Sequence, residues 1–207
     1  MRQLVLASDN RGKLLEFRLL LAPLAVTILA QRELGIAAAD EPYDTFVENA
    51  LAKARHAARS SGLPALADDS GLCCVALSGG PGVRSARFAA GDATGVAGSD
   101  NSRDADNNAE LLRQLATHSE RRAHYTCVLV ALRAPDDPEP VIAIGQWHGE
   151  IARAPRGSNG FGYDPYFFLP DLGQTAAELG PEHKNRISHR ALAMARCEQE
   201  LRSRWGW

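Results

Sequence analysis

The chain has 207 residues, 45% of them hydrophobic, with 23 Lys and Arg against 25 Asp and Glu for a net charge of −2. That is enough apolar material for one substantial core, read as a single domain over residues 1–207. The balanced charge argues against a broadly basic nucleic-acid-binding surface, and no apolar run approaches the length of a membrane span. Cys73, Cys74, Cys127 and Cys197 lack CxxC spacing, so they read as buried, reduced thiols of a cytoplasmic protein. Leu4 to Ala7 is too short for the apolar stretch of a signal peptide.

In chain order, residues 3–7 predict a buried strand. Residues 13–22 predict a helix, with Asp9 or Asn10 near its start and Pro23 at its stop. LAVTILAQ (24–31) predicts a second strand. TFVENALAKARHAARSSG then carries the clearest helical pattern: Phe46, Val47, Ala50, Leu51, Ala54, Ala57 and Ala58 make one apolar face. Thr45 and Glu48 form a capping box at its start, and Gly62 with Pro64 closes it. ALADDSGLCCVAL predicts a strand, an acidic turn and another strand. Residues 91–108 are polar and glycine-bearing and predict a mobile surface loop, followed by a helix at 109–116. HYTCVLVALR and PVIAIGQWHGEI are β-rich runs, and APDDPEP between them predicts a hairpin loop. A last helix runs from an N-cap at Ser188 to Trp205. This order predicts a mixed α/β fold with at least one antiparallel strand pair.

Five polar segments carry candidate chemistry. Ser8-Asp9-Asn10-Arg11-Gly12-Lys13 lies between a strand and a helix. Aligned to a Walker A loop, it has Ala7 for the first glycine and Leu14 for the Ser/Thr, so that motif fails, and a single glycine excludes a dinucleotide fingerprint. The helix N-terminus still favours an anion, with Ser8 and Asn10 as donors and Lys13 as a charge. The alternative is a capped helix whose Lys13 points into water. Asp68-Asp69-Ser70 offers two adjacent carboxylates, which in an extended strand point to opposite faces, so one alone can serve a given site. Such a carboxylate binds Mg²⁺ or activates water; an ordinary polar turn is the plainer reading. Asp40-Glu41 offers a second acidic pair. GSNGFGYDPYFF sets glycines around Phe161, Tyr163 and Asp164, giving an aromatic stacking surface or simply core aromatics. EHKNRISHRALA places Lys184, His189 and Arg190 about the start of the last helix, where cations oppose the helix dipole unless an anion or carbonyl-rich ligand is held there.

Taken together these segments resemble the inosine/xanthosine triphosphate pyrophosphatase (ITPase) family. Ser8 to Lys13 resembles its [ST]-x-N-x-x-K loop. TFVENALAKA, ADDSGL (67–72), GPGVRSARFA (81–90), GFGYDP (160–165) and ISHRALA (187–193) follow in order and cover nearly the whole chain. The resemblance implies an elongated central mixed β-sheet with flanking helices, two lobes around an active-site cleft, and a homodimer. It implies Mg²⁺-dependent hydrolysis of ITP, dITP and XTP to the monophosphate and pyrophosphate, with no nucleic-acid or membrane partner. It implies that Ser8, Asp9, Asn10, Arg11, Gly12 and Lys13 hold the triphosphate, with Lys53 a further phosphate candidate. Asp69 would be general base and metal carboxylate, Asp68 its neighbour, and Asp40 or Glu41 a second metal contact. Ser70 would touch substrate. Phe161, Gly162, Tyr163 and Asp164 would line the base and sugar pocket, with Phe161 the stacking ring, and Lys184, His189 and Arg190 would read the base. The implied rival is a Maf-like pyrophosphatase for other nucleotides, or a non-catalytic nucleotide-binding module.

Overall fold

The computed structural model describes residues 2–90 and 100–207, with side chains for all of these except Arg11, Pro23 and 100–102. The elements are β1 (Gln3–Leu6), α1 (Arg11–Leu21), β2 (Thr27–Ala30), α2 (Phe46–Ser61), β3 (Ala65–Cys74), α3 (Asp100–Gln114), β4 (Arg122–Leu132), β5 (Val141–Ile151), β6 (Phe167–Leu169), β7 (Gln174–Thr175), α4 (Pro181–Ile187) and α5 (His189–Trp205). One seven-stranded sheet has the order β2-β1-β3-β4-β5-β6-β7. β1 pairs in parallel with β2 and β3, whereas β6 is antiparallel to β5 and β7, so the sheet is mixed as expected.

The chain divides into two compact units. The first comprises residues 1–69, 127–145 and 188–207; the second comprises 70–126 and 146–187. In the first, strand pleating sorts alternate side chains onto two faces. Leu4, Leu6, Leu66, Cys127, Leu129 and Ala131 pack with Leu14, Phe17 and Leu21 of α1 and Met194, Cys197 and Leu201 of α5. Val5, Ala65, Ala67, Val128, Val130 and Leu132 pack instead against Ala50, Ala54, Ala57 and Ala58 of α2. The second unit has its own core, in which Leu111 and Leu115 of α3 meet Tyr125, Trp147, Tyr163 and Phe167. All four cysteines are free and buried.

Several boundaries differ from the sequence reading. The acidic turn does not exist: β3 runs unbroken through Asp68-Asp69-Ser70-Gly71. Turn propensity loses here because both carboxylates are buried against lysines, and Gly71 has no room for a Cβ beside the Gly82 carbonyl and Ser85. Helix α3 begins at Asp100, so half of the expected 91–108 loop is helical and the helix expected at 109–116 starts nine residues earlier. Asp104, Asn107 and Asn108 serve as hydrogen-bonding surface, and both asparagines are buried. Residues 91–99 lie outside the described residues. β2 starts at Thr27 because Ala22–Leu24 form a 3₁₀ turn closed by Ala25 at φ 49°. α4 had no expectation. The N-caps hold: Asn10, Thr45 and Ser188 accept from the amides of Lys13, Glu48 and Ala191. Glu48, however, takes the Thr45 hydroxyl rather than the amide of a full capping box.

Gly145 shows how closely α5 lies on β5. A Cβ there would overlap the His189 carbonyl oxygen and the Ala193 backbone nitrogen. Backbone cannot swing aside as a side chain does, so Gly145→Ala should destabilise by about 2–3 kcal/mol. Urea unfolding checks this; an unchanged midpoint contradicts it.

Candidate active site

β3 carries the centre of the first unit's polar cluster. The pleat turns Asp68 and Asp69 to opposite faces. Asp68, 1% exposed, meets Lys13 Nζ of α1 at 2.8 Å. Asp69 faces α2: Lys53 Nζ lies 3.4 Å from Oδ1 and Asn49 Nδ2 donates to Oδ2 at 3.3 Å. Lys53 also binds Glu41 at 2.7 Å. Glu41 is therefore the member of the acidic pair that joins Asp69 in the cluster, while Asp40 is exposed.

The two adjacent carboxyls are tuned apart. Burial pushes Asp68 up, but Lys13, Lys53 and Arg190 outweigh it and hold the carboxyl well below its ordinary value. For Asp69, burial raises the carboxyl; Lys53 pulls it down, Glu41 pushes it back, and the balance leaves it raised. Burial alone would lower Lys53, yet Asp68, Asp69 and Glu41 together keep it raised and charged. Such divergence within a pair of carboxylates separates a fixed anion from a group able to take a proton.

The loop after β1 is shaped by the sheet. Ala7 N–H donates to Leu66 O at 2.9 Å and Ser8 N–H to Leu6 O at 3.0 Å. Asn10, exposed, uses Oδ1 to cap α1 through Lys13 N–H at 3.0 Å. Asp9 is exposed, whereas Ser8 and Gly12 are half-buried; the side chain of Arg11 lies outside the described residues. Lys13 does not point into water, contrary to the capped-helix alternative. At the start of α5, His189 and Arg190 are both buried, and Arg190 Nη1 meets Glu16 Oε2 of α1 at 3.0 Å. That carboxylate offsets the cost of a cation at a helix N-terminus.

The second unit gathers the glycine-aromatic loop. Lys184 Nζ of α4 binds Asp164 Oδ2 at 2.7 Å and sits 5.0 Å from the Phe161 ring centroid. The same Oδ2 accepts from Phe161 N–H at 3.0 Å. Gly160, at φ +77°, leaves room for this carboxylate, which a Cβ would overlap. Phe161 and Gly162 are half-buried, whereas Tyr163 belongs to the core and donates its hydroxyl to Ser85 O at 2.8 Å. Of the two phenylalanines that the plainer reading assigned to the core, Phe167 is core, whereas Phe168 is half-buried with the Arg156 guanidinium 5.2 Å from its ring centroid. Ser70, half-buried, opens the second unit on β3.

The structure brings Lys13, Asp68, Asp69, Glu41 and Lys53 together, and separately Phe161, Asp164 and Lys184. Asn49 and Glu16 were not among the sequence candidates. Asn49 is fully buried; besides Asp69 it holds the Tyr43 backbone, accepting from N at 3.1 Å and donating to O at 3.0 Å. The available signal was an amide one turn before Lys53, beside the apolar stripe of α2. Glu16 had no local signal, because its partner is 174 residues away.

Among the described residues no group of three or more His, Cys, Asp or Glu side chains forms a ready-made metal cage. Asp69 and Glu41 are a two-carboxylate set, which suits Mg²⁺ when phosphates supply further oxygens. No helix of the described residues is long and apolar enough to cross a membrane.

A family model, the Ham1 family, matches residues 4–200. The chain is 60% identical over 202 residues to a dITP/XTP pyrophosphatase of Ralstonia nicotianae, covering 98% of each. It is 56% identical over 201 residues to another of Nitrosomonas europaea, covering 97% of this chain and 95% of that one. A HAM1 protein of Coxiella burnetii shares the fold at a TM-score of 0.87 and 46% identity, covering 98% of this chain and 100% of its own. The Ham1 protein of Staphylococcus aureus does so at 0.80 and 36%, covering 96% and 100%. The motifs that suggested the ITPase resemblance all fall inside the matched span, and with the polar clusters they build, they place this chain in the Ham1 family.

Proposed function

We propose that the chain hydrolyses deaminated purine nucleoside triphosphates (ITP, dITP and XTP) to the monophosphate and pyrophosphate. The observation that carries this reading is the split of Asp68 from Asp69 across β3, each with its own lysine. The name borne by the relatives, dITP/XTP pyrophosphatase, supports the same reaction.

In this reading Asp69 is the general base. Its raised carboxyl is the better proton acceptor of the pair, and Asn49 and Lys53 orient its two oxygens. It takes a proton from the water that attacks the α-phosphorus. Asp68 stays ionised and anchors Lys13, whose ammonium has two further protons for phosphate oxygens. Ser8, Asn10 and the start of α1 hold the rest of the triphosphate, together with Asp9, Arg11 and Gly12. Glu41 and Asp69 would hold Mg²⁺, which when bound offsets phosphate charge and polarises the reacting oxygens. Phe161 stacks on the base, flanked by Gly162 and Asp164, with Ser70 in contact with substrate; Tyr163 backs this pocket from the core. Lys184, His189 and Arg190 supply donors to its carbonyl edge. A 6-keto purine accepts from such donors. Adenine presents a donor there, leaving buried groups unpaired at about 1–3 kcal/mol, or roughly 5- to 150-fold per contact. A homodimer belongs to the same reading; light scattering should return twice the chain mass. Residence in the cytoplasm, with its nucleotide pool, fits four free buried thiols.

The decisive test is product analysis with ITP, XTP, GTP and ATP, with and without Mg²⁺. Pyrophosphate should be the first product from ITP and XTP, and chelation should stop turnover. Orthophosphate as first product, or binding without turnover, overturns the reading. Asp69→Asn should lose roughly 10²–10⁴-fold in kcat.

Asp68 gives a separate stability prediction. Its folded-state carboxyl lies below the unfolded value, so its contribution is present above about pH 4 and is lost as pH falls further. Asp68→Asn should cost about 3 kcal/mol at pH 7, as expected for breaking a buried pair. The gap from wild type should narrow towards pH 3 in urea unfolding. A gap independent of pH contradicts the ion-pair account.

A further inference from the structure

The loop that carries Phe161 is held from α3, through residues with no role so far. Asp104 and Asn108 are one turn apart, on one side of the helix. Gly162 N–H donates to Asp104 Oδ2 at 2.6 Å, and Asn108 Nδ2 donates to Gly162 O at 2.9 Å. Both polar backbone groups of one loop residue are thus gripped by one helix. Asn108 also donates to the Asp104 carbonyl at 2.8 Å, which fixes its own amide.

Asn107, between them, ties down a second segment. It accepts from Ala89 N–H at 2.8 Å and donates to Ala86 O at 3.2 Å. That is the GPGVRSARFA segment, whose Ser85 carbonyl receives the Tyr163 hydroxyl. Its Ser85 hydroxyl in turn accepts from Leu72 N–H of β3 at 2.9 Å. The motif that the proposed chemistry left idle therefore supports the aromatic loop from below.

The consequence falls on Phe161. Asp164 holds its N–H, and α3 holds the residue that follows. A ring stacks well only within a narrow range of offset and tilt. A loop left to itself would order on binding, and that cost would appear in affinity. We propose that Asp104 and Asn108 are positioning residues for base recognition: by gripping Gly162 they keep Phe161 preset to stack on the purine. This rests on the reading of Phe161 as the stacking ring.

The test is steady-state kinetics on ITP with Asp104→Ala, Asp104→Asn, Asn108→Ala, Asn108→Asp and Phe161→Ala, each with a thermal melt. Asp104→Ala and Asn108→Ala should raise KM roughly 3- to 10-fold per hydrogen bond lost, with kcat within about twofold. Asp104→Asn keeps an acceptor of the same shape and should restore most of the wild-type KM. Asn108→Asp turns a donor into an acceptor against a carbonyl and should be worse than alanine. Asp104→Ala should add nothing to KM in a Phe161→Ala background. A merely structural role predicts instead that kcat and melting temperature fall together and that asparagine at 104 gives no rescue; that result overturns the inference. If Phe161→Ala raises KM while neither α3 variant does, this inference fails and the stacking reading stands. If Phe161→Ala leaves KM unchanged, both fail. Should Asp104→Ala not fold, the contrast between Asp104→Asn and Asn108→Asp decides.

Discussion

Lys13 meets Asp68 at 2.8 Å, with the carboxylate almost wholly out of water. An unpaired charge at that depth costs several kcal/mol, so β3 can run through the acidic pair only because α1 delivers a cation to it. Delivery depends on register. β1 lies parallel to β3 with Leu6 opposite Leu66, and Ala7 bonds to the Leu66 carbonyl. The loop after β1 is thereby carried up beside Asp68, and Asn10 caps the helix just in time for Lys13 to fall in its first turn. Once Asp68 is committed to that face, the pleat leaves Asp69 no choice but the other.

On that other face the packing is deliberately thin. Ala50, Ala54, Ala57 and Ala58 let the α2 backbone come close to the sheet. Asn49 and Lys53, on the flank of this small-residue stripe, then reach Asp69 with their polar ends. Larger residues along the stripe would fill the core better but lift those groups away. Glu41 and Asp69 share Lys53 on this face, while Asp68 on the other is held by Lys13 with Arg190 and Lys53 acting on it. These surroundings raise one carboxyl while depressing its neighbour.

The second unit solves a different problem. The 157–164 loop has glycines and little regular hydrogen bonding, so its backbone groups need partners from elsewhere. Side chains of α3 and the Asp164 carboxylate supply them, and Lys184 in turn pairs with that carboxylate. Polar residues in the first turns of α3 look like a surface loop in one dimension. In three dimensions Asp104 and Asn108 among them are the contacts that hold the aromatic loop.

The sequence by itself determined the mixed α/β class, the long α2 and α5 with their caps, and the two β-rich runs. It also determined the family, because short motifs in a fixed order are local features that need no folding to be read. It singled out Lys13, Asp69, Phe161 and Lys184 as candidates for the same reason. Only the tertiary structure decided the rest. It made Asp68-Asp69 part of a strand rather than a turn, since sheet pairing and two lysines outweigh local propensity. It chose Glu41 over Asp40 as the neighbour of Asp69, and it joined Glu16 to Arg190 across 174 positions. Those are contacts between segments distant in the chain, and no local pattern of residue types encodes which partner a buried charge will find.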